Sequence, residues 1–257
     1  MLSFLVVLVC AGAVPCAAQT GGFDPNSVGA PRSGALAEFS PPAGAAPKAA
    51  VVVLPGCGGV VAHDRWWADQ LSRWGYAALV IDSYRPRGYP EVCNRGVLVP
   101  PEAQARDAFD GAAYLRSRFA MRDMPVGLIG FSHGGWAVLK AVLAGVVRRR
   151  DEPPFAAAVA FYPGCDPLTA PLESDTLILI GSADDWTPVA RCERWRDQAQ
   201  PNGHALQFKV YPGALHALDA LVDPRWFAGH YIGRDSTAAA DAIAETQAFF
   251  AARLRPY

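Results

Sequence analysis

The chain has 257 residues, of which 51% are hydrophobic and 18% are charged, and its formal net charge is −1. This composition provides enough apolar surface for a substantial core and excludes a wholly disordered chain. The near-neutral charge, with no basic stripe beyond the run from Arg148 to Arg150, gives no electrostatic basis for nucleic-acid binding.

The first predicted element is an apolar stretch from Leu2 to about Val14, which is too short to span a bilayer. It is followed by small residues, which indicates a secretory signal peptide over residues 1–18. Its amino-terminal side carries no Lys or Arg, and a lipoprotein signal at Cys10 or Cys16 is the alternative. We therefore expect an exported protein, periplasmic or secreted, with no stable membrane span once the signal is removed.

Residues 19–48 form an extension rich in Gly, Pro, Ser and Ala, in which "ALAEFS" predicts an edge strand. The remaining residues, 49–257, contain continuous apolar runs rich in Val and Ile, which are typical of strands covered on both faces. These runs are "AAVVVLPG", "YAALVID", "MPVGLIGF", "FAAAVAFYP", "TLILIG" and "LQFKVYPG".

Stretches with helical spacing separate these runs. They are "DRWWADQLSRWG", "PEAQARDAFDGAAYLRSRF", "GGWAVLKAVLAGVV", "PVARCERWRDQA", with Pro188 predicted in its first turn, and "STAAADAIAETQAFFAARL", with Ser236 as its predicted cap. Alternating strands and helices predict an α/β fold with a mostly parallel central sheet and helices on both faces. No long linker interrupts the pattern, so we interpret residues 49–257 as a single catalytic domain.

The motif "GFSHGG" places Ser132 between a predicted strand and a predicted helix. The pattern G-x-S-x-G at such a turn is typical of an exposed, strained nucleophile. Gly130 and Gly134 allow the close crossing of strand and helix that this turn needs. The backbone N–H of His133, at the helix N-terminus, is a predicted donor to a developing oxyanion.

Two later motifs offer partners for Ser132. In "IGSADDWTP" a carboxylate, Asp184 or Asp185, follows the end of a strand, where it can orient an imidazole. In "YPGALHALD" the imidazole of His216 lies in the loop after the next strand. The order serine, acid, histidine is that of the α/β hydrolases, and all three residues follow the carboxyl ends of predicted strands.

Six motifs in this order, "LPGCGGV", "DSYRPRG", "GFSHGGWA", "FYPGC", "GSADDWTP" and "YPGALHALD", give residues 50–255 a resemblance to the dienelactone hydrolase family of the α/β-hydrolase fold. The resemblance implies acyl-transfer chemistry. One departure concerns the nucleophile, which is cysteine in dienelactone hydrolases proper and Ser132 here. The resemblance therefore still implies the fold and acyl-transfer chemistry, but it does not imply that dienelactone is the substrate.

The resemblance also implies residue roles. The family pattern Asp-x-x-x-Pro, which ends here at Pro188, favours Asp184 as the catalytic acid, while Asp185 would cap the helix that follows. By analogy with the family, the backbone N–H of Cys57 supplies the second oxyanion donor. Cys57 itself lacks a strand-to-helix turn like that of Ser132, which argues against a role as nucleophile.

Four cysteines remain after the predicted signal peptide, and an even number in an exported protein indicates disulfides. The strand neighbours expected in this fold imply the pairs Cys57–Cys93 and Cys165–Cys192. The alternative is four buried thiols. Such bridges would hold the loops that carry Cys57 and Asp184.

Three residues are predicted to contact substrate: Tyr84 and Arg85, which follow a strand end, and Trp186, beside the acid. A salt bridge is the alternative for Arg85, and a core position is the alternative for Trp186. For His63, which follows the "PGCGG" loop, the alternatives are a position lining the cleft and a surface or capping role, and the latter is favoured because no carboxylate motif accompanies it.

The sequence thus predicts a serine hydrolase that cleaves carboxylic esters or lactones through Ser132, His216 and Asp184. No metal-binding pattern is present, so we expect no cofactor, and the expected partner is a small-molecule substrate rather than nucleic acid. A small serine peptidase of the same fold and a non-catalytic exported binding domain are the alternatives.

Overall fold

The computed structural model describes residues 19–21, 36–44, 47, 49–118, 123–166 and 170–255. The predicted signal peptide lies outside these residues. The strands are β1 (Gln19–Gly21), β2 (Leu36–Ser40), β3 (Ala50–Leu54), β4 (Ala77–Asp82), β5 (Val126–Phe131), β6 (Ala157–Phe161), β7 (Asp175–Gly181), β8 (Leu206–Tyr211), β9 (Arg225–Phe227) and β10 (His230–Ile232). The α-helices are α1 (Ala62–Arg73), α2 (Pro101–Arg118), α3 (His133–Ala141), α4 (Val189–Gln198) and α5 (Ser236–Arg253), and short 3₁₀ turns occupy Arg85–Arg87 and Gly96–Leu98.

Eight strands form one sheet in the order β1-β2-β4-β3-β5-β6-β7-β8. The pairs from β4 to β8 are parallel, whereas β1 and β2 are antiparallel additions at one edge. The "ALAEFS" stretch forms strand β2, as the sequence predicts, but its expected edge position is wrong, because β1 pairs with its other side and forms the edge. Strands β3 to β6 are buried along their whole length, which explains their unbroken apolar sequences. The expectation of burial on both faces is wrong for β8, because this strand forms the opposite edge and most of its residues are partly exposed.

Two glycines of β5 that face opposite sides of the sheet show that helices cover both faces. Gly127 lies against Phe250 and Leu254, at the end of α5 and just beyond it, whereas Gly130 faces Val138 of α3. Helix α1 lies on the α5 side, where its Trp67 ring packs 5.6 Å from Phe131. The predicted α/β architecture is thus confirmed.

Two helix starts differ from the sequence prediction. Helix α5 is capped by Asp235, whose carboxylate accepts hydrogen bonds from the backbone of Thr237 and Ala238, rather than by Ser236. Aspartate is as good an N-cap as serine, and its extended backbone is the one a cap requires. Pro188 precedes the first turn of α4 instead of lying within it. Across the described parts of the chain, no helix combines the length and the apolarity that crossing a membrane requires.

Candidate active site

Ser132 lies on a sharp turn between β5 and α3, with backbone angles of φ 52° and ψ −112°. A positive φ is costly for a residue with a side chain, and such strain is tolerated where the surrounding structure imposes it. Here the crossing of strand and helix imposes it, because a side-chain carbon at Gly134 would collide with the carbonyl oxygen of Leu54. The turn raises the Ser132 hydroxyl at the carboxyl end of the sheet.

The structure brings His216 and Asp184 to this hydroxyl from two separate loops. Nε2 of His216 lies 2.9 Å from Oγ of Ser132, and Nδ1 of His216 lies 2.8 Å from Oδ2 of Asp184. Both distances are those of good hydrogen bonds. The His216 loop follows β8 and is held at its far side by a hydrogen bond from Gly233 N–H to the His216 carbonyl.

Asp184 is fixed in place by the residues that follow it. Its Oδ1 accepts hydrogen bonds from the backbone N–H groups of Trp186 and Thr187, and its Oδ2 lies 2.8 Å from the Thr187 hydroxyl. The Asp184 side chain is fully buried, so a carboxylate there depends on these donors and on His216. Thr187 is not among the predicted site residues, although the pattern Asp-x-x-Thr is typical of an Asx turn.

The neighbouring carboxylate, Asp185, lies outside this arrangement. It is half-exposed and lies 3.2 Å from Nδ1 of His230, on strand β10. Helix α4 has no side-chain cap, so the expected capping role of Asp185 is wrong. Only one of two adjacent carboxylates can point into the site, because the Asx turn at Asp184 directs the next side chain outward.

The backbone N–H groups of Cys57 and His133 are the predicted oxyanion donors, and both residues line the space beside Ser132. The His133 side chain is held away from that space. Its Nδ1 lies 2.9 Å from Oε1 of Gln104 and 3.0 Å from the Tyr84 hydroxyl. Burial lowers the pKa of His133, which favours the neutral ring. It is therefore the backbone N–H of His133, and not its imidazole, that can serve the site.

Of the three residues predicted to contact substrate, only Trp186 lines the space around Ser132, with its ring 5.1 Å from that of His216. Tyr84 is fully buried, so the prediction for this residue is wrong: its side chain supports His133 from behind. The structure likewise does not place Arg85 at the predicted substrate contact. Its side chain is 61% exposed and lies 3.6 Å from Asp82 in an ion pair, the alternative that the sequence left open.

His63 does not have the surface or capping role that its sequence favoured. Its Nε2 lies 2.9 Å from Oδ2 of Asp219, a fully buried carboxylate three residues beyond His216. Burial opposes the imidazolium, but the charge and hydrogen bond of Asp219, together with the charge of Asp64, outweigh burial and raise the pKa of His63. Asp219 closes the motif "YPGALHALD", but nothing in that motif relates it to His63. Its distance of 156 residues from His63 concealed the pairing.

Both predicted disulfides are present, and both border the site. Cys57 is bonded to Cys93, and Cys165 is bonded to Cys192. The first bridge ties the loop after β3 to the loop after β4, and the second ties the loop after β6 to α4. Strands β3 and β4 are parallel neighbours, and β6 is a parallel neighbour of β7, the strand that precedes α4. The bridged loops therefore meet at one end of the sheet. Two disulfides are consistent with an oxidising, extracytoplasmic compartment.

The class of protein follows from the sheet and the turn together. A largely parallel sheet with a strained serine between β5 and α3, and with acid and histidine on later loops, defines an α/β hydrolase. The dienelactone hydrolase family model matches residues 37–254, and the chain belongs to the dienelactone hydrolase family. The family predicted from the motifs is thus confirmed, and with it a hydrolase acting on esters or lactones.

Several known proteins are similar to this chain. The Methylorubrum extorquens protein named "Putative carboxymethylenebutenolidase" is 28% identical over 199 residues, which cover 72% of this chain and 68% of that protein. A dienelactone hydrolase-like promiscuous phosphotriesterase from metagenomic libraries has a TM-score of 0.68 at 20% identity, covering 92% of this chain and 98% of its own. Esterase 2 of Thermogutta terrifontis, phosphorylated by paraoxon, has a TM-score of 0.65 at 16% identity, covering 96% and 97%.

Proposed function

We propose that this protein is a serine hydrolase that cleaves carboxylic esters or lactones through a Ser132–His216–Asp184 triad and an acyl-enzyme. The observation that carries the proposal is the continuous contact from the Ser132 hydroxyl through both nitrogens of His216 to Asp184, at 2.9 Å and 2.8 Å. Each group is thus within reach of the proton it must give or take.

In the proposed acylation step, Oγ of Ser132 attacks the carbonyl carbon while Nε2 of His216 takes the hydroxyl proton. Asp184 holds the tautomer with a proton on Nδ1 and stabilises the imidazolium that forms. The negative charge that develops on the carbonyl oxygen is stabilised by the N–H groups of His133 and Cys57. Neither N–H donates to another group within the described residues, so both are available.

Collapse of this intermediate breaks the bond to the alcohol oxygen, which receives the proton from Nε2 of His216. Water then enters, loses a proton to the same nitrogen and attacks the acyl-enzyme. The acid is released, and Ser132 recovers its proton. For a lactone the alcohol stays attached to the acyl group, and the product is a single hydroxy acid.

The relatives give independent support for this chemistry. The Thermogutta terrifontis protein is an esterase that paraoxon phosphorylates, and the metagenomic protein is a promiscuous phosphotriesterase. Attack on a phosphorus ester and attack on a carboxylic ester both need an activated nucleophile beside donors for a developing oxyanion. Ser132 has both kinds of neighbour.

Labelling with a fluorophosphonate, read by peptide mass spectrometry, tests the nucleophile directly. We expect the label on Ser132, turnover of p-nitrophenyl acetate by the unmodified protein, and loss of both in Ser132→Ala. Ser72→Ala, which alters a serine at the end of α1, is the matched control and should keep both. A fully active Ser132→Ala variant would refute the proposal.

We also infer that the protein is exported, with residues 1–18 as a signal peptide. The two disulfides support this, because such bonds persist in oxidising compartments. Amino-terminal sequencing of the protein recovered from its native host should find a mature chain that begins near Gln19. A chain that still begins at Met1 would contradict cleavage.

A further inference from the structure

Two cavities meet at Ser132, and they differ in chemistry. The first, here named the apolar lobe, has a volume of about 330 Å³ and walls that include Val61, Phe131, Leu221, Val222, Phe227 and Ile232. The second, here named the polar lobe because Asp166 and Arg191 line it, has a volume of about 220 Å³ and mixed walls that also include Val92, His133 and Trp136. Ser132 and Trp186 border both lobes.

The position of His216 distinguishes the two lobes chemically. His216 lines the apolar lobe, whereas the polar lobe extends from Ser132 along His133 and Gly96. In ester cleavage the imidazolium must hand its proton to the leaving oxygen, so that oxygen lies on the histidine side of the carbonyl carbon. The acyl chain then points away from the histidine.

We propose that an ester binds across Ser132 with its alcohol in the apolar lobe and its acyl group in the polar lobe. The preferred substrates are therefore esters of short acids with large apolar alcohols. This inference rests on the proposed function. In the acylation step the bond from Oγ of Ser132 to the carbonyl carbon forms and the bond to the alcohol oxygen breaks. The proton of Ser132 passes through His216 to that oxygen, and the alcohol is released into the apolar lobe.

The walls of the polar lobe keep it small. Cys57 and Cys93 of one disulfide border both lobes, whereas Cys165 of the other lines the polar lobe and not the apolar one, so a second covalent cross-link resists widening of the polar lobe. A short acyl group fits this restricted space.

The apolar lobe has the opposite character. Leu221 and Phe227 are 45% and 41% exposed, so a bound apolar alcohol would remove existing hydrocarbon surface from water. Each methylene buried in this way improves binding by about threefold to fourfold. Phe227 belongs to the β9–β10 hairpin, which packs on the site through its contact with Trp186 at 6.0 Å.

The experiment compares two ester series on the full-length protein by pH-stat titration. Acetate esters of methyl, butyl and hexyl alcohol vary the leaving group, and methyl esters of acetic, hexanoic and octanoic acid vary the acyl group. We expect kcat/KM to rise at least tenfold from methyl to hexyl acetate and to fall at least tenfold from methyl acetate to methyl octanoate. The reverse order would overturn the lobe assignment.

A variant locates the effect in the apolar lobe. Leu221→Trp fills part of that lobe, so kcat/KM for hexyl acetate should fall at least tenfold more than kcat/KM for methyl acetate. Leu36→Trp is the matched control, because Leu36 is 42% exposed but lies on strand β2 and lines neither lobe. This control should leave both esters unaffected. An equal loss for both esters in Leu221→Trp would contradict the assignment.

Failure of this inference is distinguishable from failure of the proposed function. If Ser132 takes the fluorophosphonate label and esters are hydrolysed in the reverse order of preference, the triad stands and the lobe assignment is wrong. If Ser132 is not labelled and no ester in either series is hydrolysed, the proposed function itself is wrong, and the lobe assignment is wrong with it.

Discussion

The Tyr162 hydroxyl donates a hydrogen bond of 2.8 Å to Oδ1 of the buried Asp219 carboxylate. Tyr162 follows β6, and its ring packs 4.8 Å from the ring of His216. The same carboxylate accepts hydrogen bonds from Nε1 of Trp67 at 2.7 Å and from Nε2 of His63 at 2.9 Å. Asp219 therefore joins the loop that carries His216 to helix α1 and to the end of β6.

Asp219→Asn should lower kcat for p-nitrophenyl acetate by about 10-fold to 100-fold, with a smaller change in KM. The donors from His63, Trp67 and Tyr162 reach both oxygens of the Asp219 carboxylate, whereas an amide has only one acceptor oxygen. Because one of these hydrogen bonds is lost, the loop that carries His216 should shift. A displacement of about 1 Å in a catalytic group can cost about 100-fold in rate. Steady-state kinetics with parallel urea unfolding make the measurement.

The matched control for this change is Asp223→Asn, which alters an exposed carboxylate in the same loop. It should leave kcat within twofold of the unmodified protein. A loss of stability in Asp219→Asn with an unchanged kcat would show that Asp219 has a structural role only.

The adjacent carboxylates Asp184 and Asp185 provide a direct comparison. Asp184→Asn should lower kcat by about 100-fold to 10,000-fold, because the amide favours the wrong tautomer of His216 and cannot stabilise the imidazolium. Asp185→Asn should lower kcat less than threefold, since its only described side-chain partner is the partly exposed His230. The kinetics of both variants on one ester decide the assignment. Equal losses would mean that the acid is not unique to Asp184.

The two disulfides should contribute similarly to stability but differently to catalysis. They close loops with sequence separations of 36 and 27 residues. On the chain-entropy model, replacing either pair by serines lowers the free energy of unfolding by about 3.5–4 kcal/mol.

Replacing Cys57 and Cys93 should also lower kcat for methyl acetate by about 10-fold to 100-fold, because the Cys57 N–H is the proposed second oxyanion donor. The Cys165–Cys192 replacement is the control for general destabilisation. An equal loss of kcat in both double variants would contradict the proposed role of Cys57.

The ionised carboxylate of the buried Asp64 should lower the free energy of unfolding at neutral pH. Burial raises the pKa of Asp64 to about 6, from 3.8 in the unfolded chain. Below pH 3.8 both states are protonated and no penalty exists; as pH rises through 6 the penalty becomes complete, at up to about 3 kcal/mol. Asp64→Asn cannot ionise, and its amide oxygen can still accept the hydrogen bond from Val61 N–H that Asp64 accepts now.

Urea unfolding at pH 3.5 and pH 7 tests this prediction. The variant should gain stability over the unmodified protein at pH 7 and lose that advantage at pH 3.5. Asp69→Asn, in an exposed position on the same helix, is the control and should show little dependence on pH. A stability difference between Asp64→Asn and the unmodified protein that is the same at both pH values would contradict the prediction.

The local sequence determined the parts of this protein that depend on neighbouring residues along the chain. Continuous apolar runs predicted the parallel strands, because a strand covered on both faces must be apolar throughout. Their alternation with helical spacing predicted the α/β sheet. The glycines around Ser132 predicted the strained turn, since only glycine tolerates so close a crossing.

Tertiary structure decided the meetings of distant groups that no motif predicted. Asp184 and Asp185 have almost the same local sequence, and the turn that follows β7 directs one to His216 and the other to His230. His63 and Asp219 are far apart along the chain, so no local pattern could pair them. Tyr84 was predicted to contact substrate because it follows a strand end, but its side chain is buried behind His133. The physical reason is that periodicity records burial along one element, whereas a site depends on the directions of side chains from several elements.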